Sequence, residues 1–230
     1  MKSNELSLTT DELLTTTRSV RRRFDFDRPV DPAIVDECLR LALQAPTGSN
    51  AQGWRFLVVT DDELRRAIGD IYRKGWVLYE RMATSAAQIA DQNGPERAET
   101  QDRVMSSAHH LAMNIHRAPI HVIACITPRP DRRPISVALA SQYASVVPAV
   151  WSLMLAARSR GLGSCLTTMH LFHEEEAADL LRIPFEEVAQ VALIPIAHTI
   201  GTDFSPAPRL PLDQVVHRDR WGTAADPGSR

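Results

Sequence analysis

The stretch Gln44–Trp54, "QAPTGSNAQGW", decides how this chain is read. A helical pattern precedes it, and the β-rich run "WRFLVVT" (Trp54–Thr60) overlaps its end and follows it. Pro46 stops the helix, and Gly48 lets the backbone turn back sharply and approach a ligand closely. Thr47, Ser49, Asn50 and Gln52 then offer side-chain donors and acceptors beside exposed amides. That set suits a heteroaromatic ring edge with alternating donors and acceptors. The same residue types also fill ordinary connections between a helix and a strand. From the loop alone, both readings stand.

Before the loop, "LTTDELLTTTRSVRRRF" reads as a short helix running into a basic turn. Asp31-Pro32 is a helix start, with Asp as N-cap and Pro at the first helical position. Ile34, Val35, Cys38, Leu39 and Ala42 share one face at helical spacing, so this helix packs on a core and ends at Pro46 and Gly48. After the loop, "DDELRRAIGDIYRK" is helical, and Gly75 to Arg117 stays so apart from a turn, "DQNGPE", around Gly94-Pro95. The run "IHVIACI" (Ile120–Ile126) is continuously apolar, as in a buried strand. "ISVALASQYASVVPAVWSLMLAARSRG" reads as a buried helix, kinked or locally unwound at Pro148 and closed by Gly161 and Gly163. "SCLTT" reads as a strand, "EEEAADLLRI" as a short helix and "VAQVALIPIAH" as a second buried strand. The tail "PAPRLPLDQVVHRDRW" is extended, and Val215, Val216 and Trp221 need a surface to pack on. Strands alternate with helices and no linker divides them. The pattern is one α+β or α/β domain.

Bulk properties narrow the function. With 230 residues, 44% hydrophobic and 23% charged, the chain has the composition of a soluble globular protein. A net charge of -2 excludes wholesale attraction to nucleic acid or an anionic membrane. Cys38, Cys125 and Cys165 are odd in number and far apart, which suits a reducing cytosol. The polar start "MKSNELSLTT" lacks a signal-peptide core, so a cytoplasmic location is expected. His170 and His173 have HxxH spacing without the further ligand a zinc helix needs, so no metal is assigned. There is no GxSxG, Walker loop or GxGxxG.

Two other places have the chemistry to join the loop around a ligand. "TRSVRRRF" (Thr17–Phe24) puts four arginines within six residues, presenting guanidinium groups and amides to a phosphate. The plain alternative is a solvated basic patch. "GLGSCLTT" and "PAPRLP" lie further on, and Arg209, stiffened between prolines, has the reach for a phosphate. Most such arginines only face solvent.

Taken in order, the basic start, "APTGSNAQGWRFLVV", "GLGS", "ALIPIAH" and "PRLPLDQVVHRDRW" resemble the nitroreductase family of flavin enzymes, from about Thr17 to Trp221. The resemblance implies a three-layer α/β/α fold of the α+β class, with a central mixed, mainly antiparallel sheet. It implies a homodimer holding FMN at the subunit interface, with NADH or NADPH as reductant. Residues 1–16 then form a polar, helical lead-in, 17–221 the single FMN-binding domain, and 222–230 a disordered tail.

Carried over by position, the basic start binds the FMN phosphate in one of two registers. Arg18 and Arg22 match a spaced basic pair if Phe24 is the family's aromatic, leaving Val20 where serine is frequent. Placing Ser19 on that serine makes Arg21 the partner and leaves one extra residue before Phe24. Arg209 matches the C-terminal phosphate arginine. Pro46, Thr47, Gly48, Ser49, Asn50 and Gln52 match the segment along the ribityl chain and ring, with Gly53 in place of the usual proline. Gly163, Leu166, Thr167 and Thr168 fall where backbone meets the ring near its reactive nitrogen.

The implied chemistry is hydride transfer from NAD(P)H through flavin to a nitroaromatic, quinone or similar flat acceptor. The flavin carries the hard step, so no side chain is assigned as catalytic acid or base. The alternatives are a specialised relative (dehydrogenating, dehalogenating or flavin-destroying) and a low-turnover flavin-binding protein. Substrate choice would rest on the stretch from Tyr72 to Ala90.

Overall fold

The computed structural model describes residues 6–82, 95–130 and 135–222. Its elements in chain order are α1 (Thr10–Thr16), β1 (Phe24–Asp25), α2 (Pro32–Ala42), β2 (Trp54–Val59), α3 (Asp62–Tyr79), α4 (Pro95–Asn114), β3 (Ile120–Ile126), α5 (Ser136–Ser159), β4 (Leu162–Ser164), α6 (Glu174–Leu181) and β5 (Ala189–Thr199). The turn expected before Pro95 and the tail beyond Gly222 lie outside the described residues.

Local chemistry sets the helix starts. Asp31 accepts from the Ala33 N–H at 3.0 Å, with Pro32 following, and Asp61 accepts from Leu64 N–H at 2.8 Å. Each such cap satisfies a backbone donor that the helix leaves open. Helix α2 stops at Ala42, earlier than the proline marked, because Pro46 disfavours helical geometry at the residue before it and the chain tightens into turns first.

β5 is the hub of the sheet and pairs antiparallel with β1, β3 and β4, while β2 pairs antiparallel with β3. The expected strand Ser164–Thr168 begins and ends earlier, at Leu162–Ser164. The ladder lapses at Cys165 and Leu166 and resumes in the same register, with Thr167 opposite Leu193. One isolated parallel bridge, Ser19 to Ser164, ties the basic turn to β4 and makes the sheet mixed.

The sheet divides two apolar layers by the two-residue period of its strands. Ile120, Val122, Ala124 and Ile126 of β3 pack with Val35 and Cys38 of α2 and with Val150 and Leu153 of α5. Ile123 and Cys125 pack on the other side with Ile68, Tyr72 and Trp76 of α3, Leu111 of α4, and Val20 and Phe24 of the basic turn. The result is a three-layer α/β/α arrangement. Fully buried aliphatics such as Ile123 and Leu193 each cost about 2–5 kcal/mol when cut to alanine.

Helix α5 runs through Pro148 as one helix, so the chain is not unwound there. By length and composition it is apolar enough to cross a membrane, yet its inner side is buried in the core with α2. It is not buried all round. Leu139, Tyr143, Val147 and Trp151 recur every fourth residue after Ile135 and are 36–42% exposed, while Ile135 itself is 70% exposed. A four-residue repeat is one stripe of a helix.

Two histidines face the second layer without solvent. Burial pushes His121 down to about 4 and His170 down to about 3. His121 Nε2 pairs with the Ile115 carbonyl at 2.8 Å, while both ring nitrogens of His170 find no partner among the described residues. Both folded values lie below the ordinary histidine range near 6.5, so the unfolded chain takes up protons first as pH falls. Stability is then complete above about pH 6.5 and drains away toward pH 4 and below. At about 1.4 kcal/mol per pH unit, His121 alone withdraws about 3 kcal/mol by pH 4. Urea midpoints measured at pH 7.5 and 4.5 should fall accordingly; equal midpoints would contradict the neutral, buried pair.

Candidate functional site

The opening loop is built against α5 and the chain after β3. Gly48 N–H donates to Ser145 Oγ at 3.2 Å, and a Cβ on Gly48 would overlap the Ser141 hydroxyl. Thr47 Oγ1 accepts from Gln52 N–H at 3.2 Å, and Gln52 Nε2 donates to Asn50 Oδ1 at 3.1 Å. Ser49, Asn50 and Gln52 all have positive φ, between 48° and 52°. For residues with a Cβ this left-handed backbone costs about 1–2 kcal/mol each. Strain gathered in an exposed loop marks a place where shape matters more than stability. Pro46 precedes the turn and is exposed.

Gly53 is explained by packing. A Cβ there would sit 2.5 Å from the Thr127 carbonyl oxygen, a backbone atom, while Thr127 N–H donates to the Gly53 carbonyl at 2.8 Å. Proline or alanine at this position must push the Thr127 turn away. Gly53→Ala and Gly53→Pro are each expected to lose about 1–3 kcal/mol in chemical denaturation; unchanged stability in both would mean the Thr127 turn yields freely.

The arginines of the basic turn take separate directions. Arg18 reaches the Ser205 carbonyl at 3.3 Å and lies close enough to Arg209 for repulsion to be felt. Burial first, and then the Arg209 charge, hold Arg18 below the usual arginine range. Arg21 donates to Ser107 Oγ at 3.3 Å and, like Ser19, lies near the Cys165 thiol, whose ionisation it favours. Arg22 turns to α4, donating to Ser106 Oγ at 2.6 Å. Arg23 pairs with Asp203 at 2.6 Å and stacks on Phe204. Val20 is buried in the core and spends its N–H on the Ser164 carbonyl, so it has neither group to offer a ligand. Among the described residues, Arg18, Arg21 and Arg209 pair with no carboxylate, unlike Arg23, Arg117 and Arg129. Cations held near one another without an anion are an anion site in waiting.

The Cys165–Thr168 segment alternates between inside and outside. Cys165 and Thr167 are buried; Leu166 and Thr168 are exposed. Thr167 exchanges both backbone hydrogen bonds with Leu193, at 3.0 and 2.8 Å, and its hydroxyl meets Tyr72 Oη at 2.6 Å. Gly163 is glycine because Val20 and Thr199 close in from either side, leaving a Cβ 2.7 Å from Thr199 Cγ2. Thr168 opens on an apolar cavity of about 390 Å³, lined also by Tyr79, Met82, Met169, Leu171 and Phe172.

Arg18 thus lies near Arg209, and Ser19 and Arg21 lie beside Cys165, while the loop 46–52 has its partners on α5. Arg21 entered above through one of two registers, and Tyr72 only as the start of a stretch tied to substrate choice. The bond between Tyr72 and Thr167 had no signal in the sequence, since the two lie 95 residues apart. Of the stretch from Tyr72 to Ala90, residues 83–90 lie outside the described residues. No cluster of three or more His, Cys, Asp or Glu fit to hold a metal occurs among the described residues.

Known proteins are similar to this chain along most of its length. An iodotyrosine deiodinase of Thermotoga neapolitana is 28% identical over 202 residues, 87% of this chain and 92% of that protein. A putative NAD(P)H nitroreductase of Bacillus subtilis, YdgI, is 25% identical over 195 residues, 82% of this chain and 90% of its own. In fold, the FMN and NADPH-dependent nitroreductase NfnB of sphigopyxis sp. strain HMH superposes with a TM-score of 0.64 at 21% identity, covering 91% of this chain and 98% of that one. Oxidised iodotyrosine deiodinase bound to FMN and 3-iodo-L-tyrosine superposes with a TM-score of 0.63 at 22% identity, covering 92% and 99%. The nitroreductase family model matches residues 14–198, and the chain belongs to that family.

Proposed function

We propose that the protein is an FMN-dependent oxidoreductase that takes a hydride from NADH or NADPH and passes it to a nitroaromatic, quinone or similar flat acceptor. The observation that carries this reading is the pair Arg18 and Arg209, near one another and without a carboxylate partner among the described residues, with Ser19 and Arg21 of the same turn beside Cys165, next to the outward-facing Leu166 and Thr168. These groups fit a phosphate, and the strained, donor-rich loop 46–52 fits a ribityl chain and ring edge. In this assignment Ser19 and Arg21, rather than Val20 and Arg22, complete the phosphate contacts.

FMN supplies the two-electron chemistry when bound. The chain's own task is to fix the phosphate by charge, present Thr168 and its neighbours as donors to the ring, and keep an apolar slot free of water. The 390 Å³ cavity next to Thr168 is suited to that slot.

The working unit is a homodimer with FMN between subunits. Two features support it. The arginine neighbourhood is anchored by Val20, Phe24 and Cys165 in the α3/α4 layer, whereas the loop is anchored by Ala45 and Trp54 in the α2/α5 layer. One chain therefore holds two half-sites on opposite sides of its sheet. The α5 stripe gives a second copy an apolar surface on which to bring the missing half.

Purified protein should be yellow, bleach under anaerobic NADH or NADPH, and recover colour with a nitroaromatic. A bound flavin that neither nicotinamide reduces would overturn the reductase reading. Similarity to the deiodinases favours dehalogenation as the second reading. Release of iodide from 3-iodo-L-tyrosine by dithionite-reduced protein, without nitroaromatic turnover, would replace the first reading with that one.

A further inference from the structure

Helix α3 meets the segment after β4 along one of its faces. Tyr72, Gly75, Trp76 and Tyr79 follow an i, i+3, i+4, i+7 spacing, which is one stripe of a helix. Tyr72 Oη bonds Thr167 Oγ1 at 2.6 Å, with both residues buried. One turn further, Gly75 lets the Met169 carbonyl lie directly against the helix, where a Cβ would overlap it. At the end of the helix, Tyr79 shares the apolar cavity with Thr168, Met169 and Phe172. The Thr167 backbone is already fixed by Leu193, but Leu166 stands outside the ladder and Thr168, at φ -133° and ψ 6°, leaves it. The two peptide groups that flank Thr167 are hydrogen-bonded to Leu193, whereas the outward-facing Leu166 and Thr168 are backed by α3 through Tyr72 and Gly75.

We infer that Tyr72 is a positioning residue: together with Gly75 it sets the height and tilt of Leu166–Thr168 against the flavin ring. The inference rests on the flavin reading above. A donor aimed at a ring that gains negative charge on reduction favours the reduced form, and its effect fades as the hydrogen bond lengthens or bends. Releasing the segment by removing the Tyr72 hydroxyl, or pushing it by adding a Cβ at position 75, both spoil that aim. A residue that served only to fill the core would change stability and leave the flavin's potential alone.

The test uses the full chain loaded with FMN, as Tyr72→Phe and as Gly75→Ala. FMN affinity of the apoprotein, followed by flavin fluorescence, is expected to stay within about threefold of the parent, because the phosphate contacts are untouched. The two-electron midpoint potential, read against a reference dye, is expected to fall by about 30 mV, a tenfold change in the reduction equilibrium. kcat should drop with the nicotinamide KM unchanged. A parental potential in both variants would overturn the inference. Where Tyr72→Phe does not fold, the double variant Tyr72→Phe/Thr167→Val replaces both hydroxyls by apolar groups of similar shape and avoids an unpaired buried oxygen. A folded double variant with a lowered potential supports the inference, and one with the parental potential overturns it. Parent protein that binds no FMN in the first titration would overturn the cofactor reading itself, and this inference with it.

Discussion

Apoprotein carrying Arg18→Ala or Arg209→Ala is expected to bind FMN roughly 10- to 150-fold more weakly than the parent. A hydrogen bond to a charged group contributes about 1.5–3 kcal/mol, and each change removes at least one such bond to the phosphate. The two guanidinium groups lie near enough to repel one another, and neither pairs with a carboxylate among the described residues, so removing either charge breaks no ion pair. Loss of cofactor should therefore come with no loss of fold, which separates a binding role from a structural one. Arg22→Ala, whose guanidinium is engaged with Ser106, is expected to bind FMN as the parent does. Riboflavin, which lacks the phosphate, should bind Arg18→Ala and parent alike. Fluorescence titration of the variants with both flavins measures all of this. Equal FMN affinity in Arg18→Ala, Arg209→Ala and parent would remove the phosphate assignment.

Trp151→Glu and Tyr143→Glu are expected to separate the dimer and empty it of FMN together. Both side chains belong to the exposed stripe of α5, on a surface with no cover in the single chain. A central aromatic contact of an interface contributes on the order of 2–4 kcal/mol, and a carboxylate in its place also has to be stripped of water. The dimer constant should rise roughly 30- to 1000-fold. Sedimentation and flavin content measured on the same samples give the answer. Monomeric protein that keeps its FMN would contradict the shared site, and a dimer left intact by both changes would place the interface elsewhere.

The strands that organise the sheet were legible because their sequences allow little else. "IHVIACI" and "VAQVALIPIAH" are apolar on both faces, which is what a strand between two helical layers requires. Asp31-Pro32 was equally plain, since a cap acts through adjacent residues. The outer face of α5 was not legible. Apolar side chains line both its buried and its exposed sides, so a helix buried on one side and bare on the other reads as buried throughout. The four arginines of the basic turn look alike in sequence. Their different directions arise because Val20 and Phe24 are both pinned in the core, which leaves Arg21 to Arg23 to form the turn between them. Thr167 and Thr168 are likewise adjacent and alike, and only the pairing with Leu193 and Tyr72 decides which hydroxyl is spent inside and which faces out.

The separation of the two half-sites onto opposite layers has a consequence for how the protein is loaded. In the proposed dimer neither half grips the whole cofactor, so each FMN would act as a clasp between two chains, with its affinity tied to their concentration. Dilution loosens the clasp, and scarce flavin loosens the pair. In such a system the supply of one small molecule sets how much of the protein is assembled, and assembly in turn sets how much of it holds the means to react.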